Sequence, residues 1–375
     1  MAVTDLSDLS ETLSKSGLDR PAAVIDLDAL DHNIRVLGNT AASDLNWRLV
    51  AKSLPSIPLL DYVQDALEIR DLMVFSEPML SQLLVQSSAD QLLGRPMLAR
   101  SARRVLVSHS NAPTKVQWLI DSMDRLTEYA ELARDMDVSL RVNLEIDVGL
   151  HRGGFTPADI PVLDTFFRDN DRLNLTGLMG YEPHLSKLPW FLAQASKTKF
   201  WRTYQAMSQW AATISDNLVL NTGGSTTFHR YTSGGCINEV SFGSVMVLPS
   251  DFEKSSELGF VPAAYVATPI LKRLPGNPWP GLEFLSRFQR DRTDIAIQGG
   301  YFMGTPVYPK GFGYSRLFGR STNQEIWSGK TPAPIASGDV ALLRPSQSEF
   351  VLNAFGSIFA HRKGQALREW STLPH

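Results

Sequence analysis

Between residues 21 and 247 the chain alternates short apolar runs with longer amphipathic segments, and no other feature restricts its fold as much. The runs fall at residues 22–27, 47–52, 72–75, 116–120, 140–146, 173–179, 218–221 and 239–242. Each has the length of a strand; some, such as 22–27 and 72–75, are largely apolar on consecutive positions, while 140–146 and 239–242 alternate apolar with polar residues. Between them a helical period is readable. Asp28 is placed to cap a helix in which Leu30, Ile34 and Leu37 share one face, and Pro55 with Pro58 opens another. Residues 79–85 and 188–214 read as helices, and Leu126, Tyr129, Leu132 and Ala133 line one side of a helix over 123–136. Eight strands alternating with helices predict a (β/α)8 barrel of the TIM type, with a doubly wound sheet as the competing arrangement. One further apolar run, Arg104-Val105-Leu106-Val107 within residues 91–111, has no place in that scheme.

After residue 251 the pattern changes to strand-like runs at 265–268, 295–297 and 340–343, with frequent Pro and Gly between them and hairpin signals at 355–356 and 362–364. The expected division is an N-terminal extension over 1–19 that packs on the β domain, the barrel over 20–251, and an all-β domain over 252–375. The net charge of −3, with no run of Lys and Arg, gives no footprint for nucleic acid or an anionic membrane. The single cysteine, Cys236, leaves no internal disulfide and no cysteine-cluster metal site. The polar, acidic start lacks the pattern of a signal peptide, and no apolar stretch has the length of a membrane span. These features lead us to expect a soluble cytoplasmic protein whose partner is a small molecule.

In a barrel of this kind chemistry sits where strands end and loops begin. The residues at those places are Lys52, Ser76, Asp121, Asp147 with Arg152, Tyr181 with His184, the run Gly223-Gly224-Ser225-Thr226-Thr227, and Gly243-Ser244. The last two loops follow strands seven and eight, where barrels commonly bind phosphate: glycine-rich turns expose N–H groups, and Ser225, Thr226 and Ser244 add hydroxyls. Read singly, each is also compatible with a tight turn. A phosphate site together with Lys52 is what a pyridoxal phosphate enzyme needs, the lysine holding the aldehyde as an imine. A barrel aldolase using a lysine and a phosphorylated sugar needs the same two features, but generally without a separate β domain.

Arg152, set among glycines, is placed either to face a pyridine nitrogen as a permanently charged donor or to pair with Asp147 or another carboxylate. Tyr181 and His184 offer an acid/base pair, against which stand a ring-packing role for the tyrosine and a structural one for the histidine. Glu145 is expected to pair with Arg48 inside the barrel.

The runs Pro21-Ala22-Ala23-Val24-Ile25-Asp26-Leu27-Asp28, Arg48 four before Lys52, Glu145-Ile146-Asp147-Val148-Gly149 with Arg152, Gly180-Tyr181-Glu182 with His184, and Gly223-Gly224-Ser225-Thr226 together resemble fold-type III pyridoxal phosphate enzymes. They are most similar to the D-threonine aldolase and D-serine dehydratase branch, which shares its barrel and β-domain layout with alanine racemase. The resemblance, over residues 20–375, implies that Lys52 anchors pyridoxal 5'-phosphate and that Arg152 partners its ring. It further implies that Tyr181, Gly224, Ser225, Thr226, Gly243 and Ser244 line the cofactor site, and that the protein is a homodimer whose sites use the partner's β domain. Tyr181 and His184 match a Tyr-x-Gly-His run of the branch, from which Pro183 departs.

The branch also carries a Pro-x-His-x-Cys or Pro-x-His-x-Asp run that binds a divalent metal. Here the matching run is Pro345-Ser346-Gln347-Ser348-Glu349. Gln is a weak neutral ligand, so a zinc site of the usual kind is not expected, and Glu349 is the remaining candidate for a harder cation. Losing the metal weakens aldol cleavage and β-elimination. Racemisation needs only two acid/base groups, with Lys52 as one and Tyr301, Tyr308 and Tyr314 as candidates for the other. The leading expectation is a lyase, aldolase- or dehydratase-like, acting on a D-amino acid or 3-hydroxy amino acid. The alternatives are an amino-acid racemase and, in another class, a non-enzymatic pyridoxal phosphate carrier.

Overall fold

The fold is described from a computed structural model, covering residues 5–41, 44–232, 235–275, 278–284, 292–330 and 334–374. The chain divides into two compact units: one formed by residues 37–243 with 373–375, the other by residues 1–36 with 244–372. Among the described residues no helix is long and apolar enough to cross a membrane.

The first unit is the expected closed barrel of eight parallel strands. One strand lies outside it: β1 (Ala22–Asp26). The barrel comprises β2 (Asn46–Val50), β3 (Asp71–Val74), β4 (Asp90–Leu93), β5 (Val116–Ile120), β6 (Leu140–Ile146), β7 (Leu173–Gly180), β8 (Val219–Thr222) and β9 (Glu239–Phe242), with β2 paired to β9. The expected count of eight holds, but its first member does not. β1 pairs antiparallel with β10 (Ala264–Pro275) and parallel with β16 (Ser357–His361) in the other unit's sheet. All five of its residues are buried, and an apolar run of that kind suits the middle of any sheet. The barrel strand that replaces it, β4, lies in the stretch that had no assignment. Its first two residues, Asp90 and Gln91, are polar and leave only a short apolar run; the Asp90 carboxylate belongs to a polar barrel interior, where Arg48 and Gln117 donate to it. The apolar run at 104–107 is helical, within Ala99–Ser108, where Ala102, Val105 and Leu106 are buried.

That interior is organised by Arg48, which is 1% exposed. Its Nε and Nη2 donate to the Glu239 carboxylate at 2.6 and 2.9 Å, and its Nη1 donates to the Leu72 carbonyl at 3.0 Å and to Asp90 Oδ1 at 3.3 Å. The expected pairing of Arg48 with Glu145 is therefore incorrect. In the register β2 lies beside β3 and β9, so the acids within reach are Glu239, Asp71 and, one strand further on, Asp90. Burial works against the guanidinium charge, but the facing Glu239, Asp71 and Asp90 outweigh it and raise the pKa. Asn221 Nδ2 donates to Glu239 Oε1 at 2.7 Å, and Gln117 Nε2 to Asp90 Oδ1 at 2.6 Å, so the pair is hydrogen-bonded as a buried charge must be.

The second unit is built on a nine-stranded sheet. Beyond β1, β10 and β16 it contains β11 (Thr293–Gln298), β12 (Gly304–Tyr308), β13 (Phe312–Tyr314), β14 (Gln324–Gly329), β15 (Val340–Pro345) and β17 (Arg368–Ser371). β10 is covered on both faces. Tyr265 and Ala267 join a core with Val24, Val340, Leu342 and the Leu9 and Leu13 side chains of the helix Leu6–Lys15; Val266 and Ile270 join another with Ile295, Ile297, Trp327 and Leu343. The tail forms the hairpin β16–β17 around residues 362–367, whereas residues 355–356 follow a short helix, Ser348–Asn353, and make no hairpin.

Removing one partner of the Arg48–Glu239 pair strands the other. Glu239→Ala is expected to cost about 3–5 kcal/mol in urea unfolding, against at most a minor loss for a surface pair such as Lys15–Glu11.

Candidate active site

β2 stops at Val50, and residues Ala51–Ser53 form a 3-10 turn, so half-buried Lys52 sits on the turn rather than on the strand. Its Nζ lies 4.1 Å from the centroid of the Phe75 ring, just past β3. A cation–π contact of this kind contributes about 0.5–2 kcal/mol. The ring's place depends on Gly94, just past β4: a Cβ there would lie 2.2 Å from Phe75 Cζ. Ser76 and Asp121, two further strand-end residues, have local structural tasks. Ser76 Oγ accepts from Met79 N to cap the helix Glu77–Gln86, and Asp121 pairs with Arg125 at 2.7 Å.

After β6 the chain leaves the barrel and returns at Phe155, whose N donates to the Glu145 carbonyl at 2.8 Å while Asp147 N donates to the Phe155 carbonyl at 2.9 Å. Asp147 clamps the loop between them. Its carboxylate accepts from Gly149 N and His151 N, both at 2.9 Å, and meets His151 Nδ1 at 2.7 Å. Burial acts to raise its pKa, and these bonds more than offset it, leaving the pKa lowered. Arg152 on this loop pairs with a carboxylate, but that of Glu145 at 3.6 Å rather than that of Asp147; its Cζ lies 5.2 Å from the Tyr181 ring centroid. Burial raises the Glu145 pKa, and Arg152 offsets this only in part.

Tyr181 follows β7 and packs edge-on to the loop after β8: a Cβ on Gly224 would lie 3.1 Å from its Cε2. Within that loop the Gly224 carbonyl accepts from Thr227 N and Phe228 N, both at 2.9 Å. Among the described residues the N–H groups of Gly224 and Thr226 and the Thr226 hydroxyl have no hydrogen-bond partner. Ser225 Oγ accepts from Gly243 N at 3.3 Å, and Gly243 lies so close to the Lys52 turn that a Cβ would be 2.7 Å from Ser53 Oγ and 2.8 Å from Val50 Cβ. The structure thus brings the turn that carries Lys52, through Val50 and Ser53, into one run of contacts with Gly243, Ser225, Gly224, Tyr181 and Arg152 at the strand ends.

One residue in this region was not singled out from sequence. Glu182 is fully buried, and its Oε2 accepts from Thr222 Oγ1 at 2.9 Å and from Gly223 N at 3.2 Å. In the sequence it stands only as the last member of the run Gly180-Tyr181-Glu182, two residues past an apolar strand, with no role assigned to it. His184, on the 3-10 turn Pro183–Ser186, lies with Nε2 3.4 Å from where a Gly149 Cβ would stand. Its two ring nitrogens are buried without a partner among the described residues, and burial lowers its pKa despite the nearby Glu182 and Asp147.

Ser244 and Glu349 belong to the other unit. Ser244 is buried, with Ser348 Oγ donating to its Oγ at 3.0 Å. Gln347 donates its amide to Asp251 Oδ2 at 2.5 Å, and Glu349 lies in the first turn of the helix Ser348–Asn353. Among the described residues no three His, Cys, Asp or Glu side chains are grouped to hold a metal ion.

Two measurements check this geometry. Gly94→Ala is expected to cost about 1–3 kcal/mol by overpacking against Phe75. Most of that loss should vanish when Phe75→Leu is already present; an equal cost in both backgrounds would place the strain elsewhere. Because protonation of His184 is disfavoured in the fold, its contribution to stability is complete above the unfolded-state pKa and falls as the pH drops below it. NMR titration, assigned with His184→Gln, should find the ring still neutral at a pH where an exposed histidine is half protonated.

Comparison with curated protein sequences gives no match. Among solved structures, D-threo-3-hydroxyaspartate dehydratase from Delftia sp. HT23 superposes with a TM-score of 0.75 at 19% identity, over 96% of this chain and 99% of that one. D-threonine aldolase from Filomicrobium marinum gives 0.74 at 18% identity over 95% of each chain. Alanine racemase from Clostridium difficile 630 gives 0.73 at 15% identity over 95% of this chain and 99% of that one. At these identities the likeness is one of fold. The sequence itself matches the family described as alanine racemase, N-terminal domain, over residues 25–251, and the chain belongs to that family of fold-type III pyridoxal phosphate proteins.

Proposed function

We propose that the protein is a pyridoxal phosphate-dependent lyase acting at Cα of a D-amino acid or 3-hydroxy amino acid. The observation that carries this reading is the pairing of Lys52 with the loops after β8 and β9: an amine at a strand end and, linked to its turn through Gly243 and Ser225, a loop whose Gly224 and Thr226 donors are unengaged among the described residues. An aldehyde carrying a phosphate needs both, so the residues fit the cofactor that the family implies. Gly224, Ser225, Thr226 and Gly243 would hold the phosphate, Lys52 would hold the aldehyde carbon, and Arg152 is the candidate partner for the ring.

When bound, pyridoxal phosphate supplies an electron sink for the pair left at the substrate Cα. The Lys52 amine would be the group at hand to take or return a proton there. Arg152 has Glu145 at one side and the Tyr181 face at the other, contacts that favour this position of an otherwise exposed side chain. Tyr181 forms a wall between Arg152 and Gly224. His184, with both ring nitrogens covered, must turn before it can exchange a proton.

Racemisation is the second reading. It is favoured by the donor set at residues 345–349, where Gln347 is engaged with Asp251 and supplies a neutral amide where a metal-binding lyase of the resembled branch carries His. In keeping with the resemblance, we further propose a cytoplasmic homodimer.

Purified protein given pyridoxal phosphate should develop a visible absorption band that borohydride bleaches, and Lys52→Ala should lack it. Failure of the wild-type protein to develop the band would end this reading. Incubation with D-threonine, D-serine and D-alanine, with and without chelator, then separates aldehyde release, keto-acid release and inversion.

A further inference from the structure

Behind the glycine loop stands a carboxylate that the proposed chemistry does not use. Glu182 is fully buried, its Oε1 has no partner among the described residues, and its Oε2 takes the Gly223 N–H. The Thr222 hydroxyl, with one proton, lies 2.7 Å from the Gly180 carbonyl and 2.9 Å from Glu182 Oε2, so it cannot fully serve both. Three neighbours lie close to this carboxylate. Tyr231 is hydrogen-bonded to it, and after burial Glu182 is the leading cause of the raised Tyr231 pKa; it adds to that of Tyr204, and it resists the lowering of His184. An anion-binding loop would be expected to avoid such a group, since a buried charge is poorly screened and repels a second anion nearby.

We propose that Glu182 is a positioning residue that limits how tightly the loop holds a phosphate. By accepting the Gly223 N–H it turns that donor away from a ligand at Gly224 and Thr226, and its charge opposes a dianion bound there. The donors left to the phosphate are those one and three residues further on, at Gly224 and Thr226. The consequence is a cofactor held by its covalent link to Lys52 more than by its phosphate, and exchangeable once that link opens. This inference rests on reading the loop as the phosphate cradle.

The test is titration of the cofactor-free full-length protein with pyridoxal phosphate and, as the control lacking the phosphate, with pyridoxal, followed by tryptophan fluorescence. Glu182→Gln keeps an oxygen for Gly223 N–H, can supply an N–H to Thr222, and removes the charge. It is expected to tighten pyridoxal phosphate binding about tenfold while leaving pyridoxal unchanged. Glu182→Asp keeps the charge but withdraws it from Gly223, and is expected to bind pyridoxal phosphate no more tightly than the wild type. Equal or weaker binding by Glu182→Gln, or a gain shared by pyridoxal, would overturn the role of Glu182. Tightening by Glu182→Asp would do the same, and this variant keeps the question answerable if Glu182→Gln does not fold. If the wild-type protein binds neither compound, the cradle reading falls, and this proposal with it.

Discussion

The barrel depends on one buried cation. Arg48, on the first barrel strand, reaches Glu239 on the last, the Leu72 carbonyl on the second and Asp90 on the third. A single guanidinium therefore spans the place where the sheet closes on itself. Burying an ion pair brings little net stability compared with well-packed apolar side chains. What it specifies is register, because a slip of one residue in β2 would turn Arg48 out of the interior and leave Glu239 alone. Once β2 and β9 are locked side by side, their C-terminal ends are locked too, and those ends carry the Lys52 turn and Gly243.

From that closure the candidate site follows by short links. Gly243 lies against Ser53, donates to Ser225 and so fixes the β8 loop to the β2 turn; Tyr181 rests on Gly224, and Arg152 on Tyr181. The loop that presents Arg152 is itself braced by Asp147, whose accepting capacity is taken up within the loop.

The barrel, the β domain and the residues at the strand ends were legible in the sequence because each leaves a local mark: apolar runs of strand length, glycine-rich turns, a lysine before a proline. What was not legible depends on neighbours distant in sequence. Nothing in Ala22–Asp26 says that its partners are β10 and β16, since an apolar run suits any sheet interior. β4 was hidden because it opens on two polar residues, of which Asp90 makes sense only once a polar barrel interior is known. The partner of Arg48 is chosen by register, which placed Glu239 and not Glu145 beside it. Glu182 shows the same limit at the site, for its burial is set by the β8 loop folding over it.

The placement of β1 also bears on how the chain matures as it is made. The barrel unit is nearly continuous in sequence, so it can close as soon as Gly243 has been added. β1 is synthesised before any of it, yet its two sheet neighbours come later, β16 almost at the end of the chain. Until β10 is made a strand with four apolar residues of five has both edges unpaired, and one edge stays open until β16 follows, the kind of segment that pairs wrongly. The parallel β1–β16 pair therefore forms only after the barrel strands and β10 have been made, and the interval before it leaves one edge of β1 open to wrong pairing.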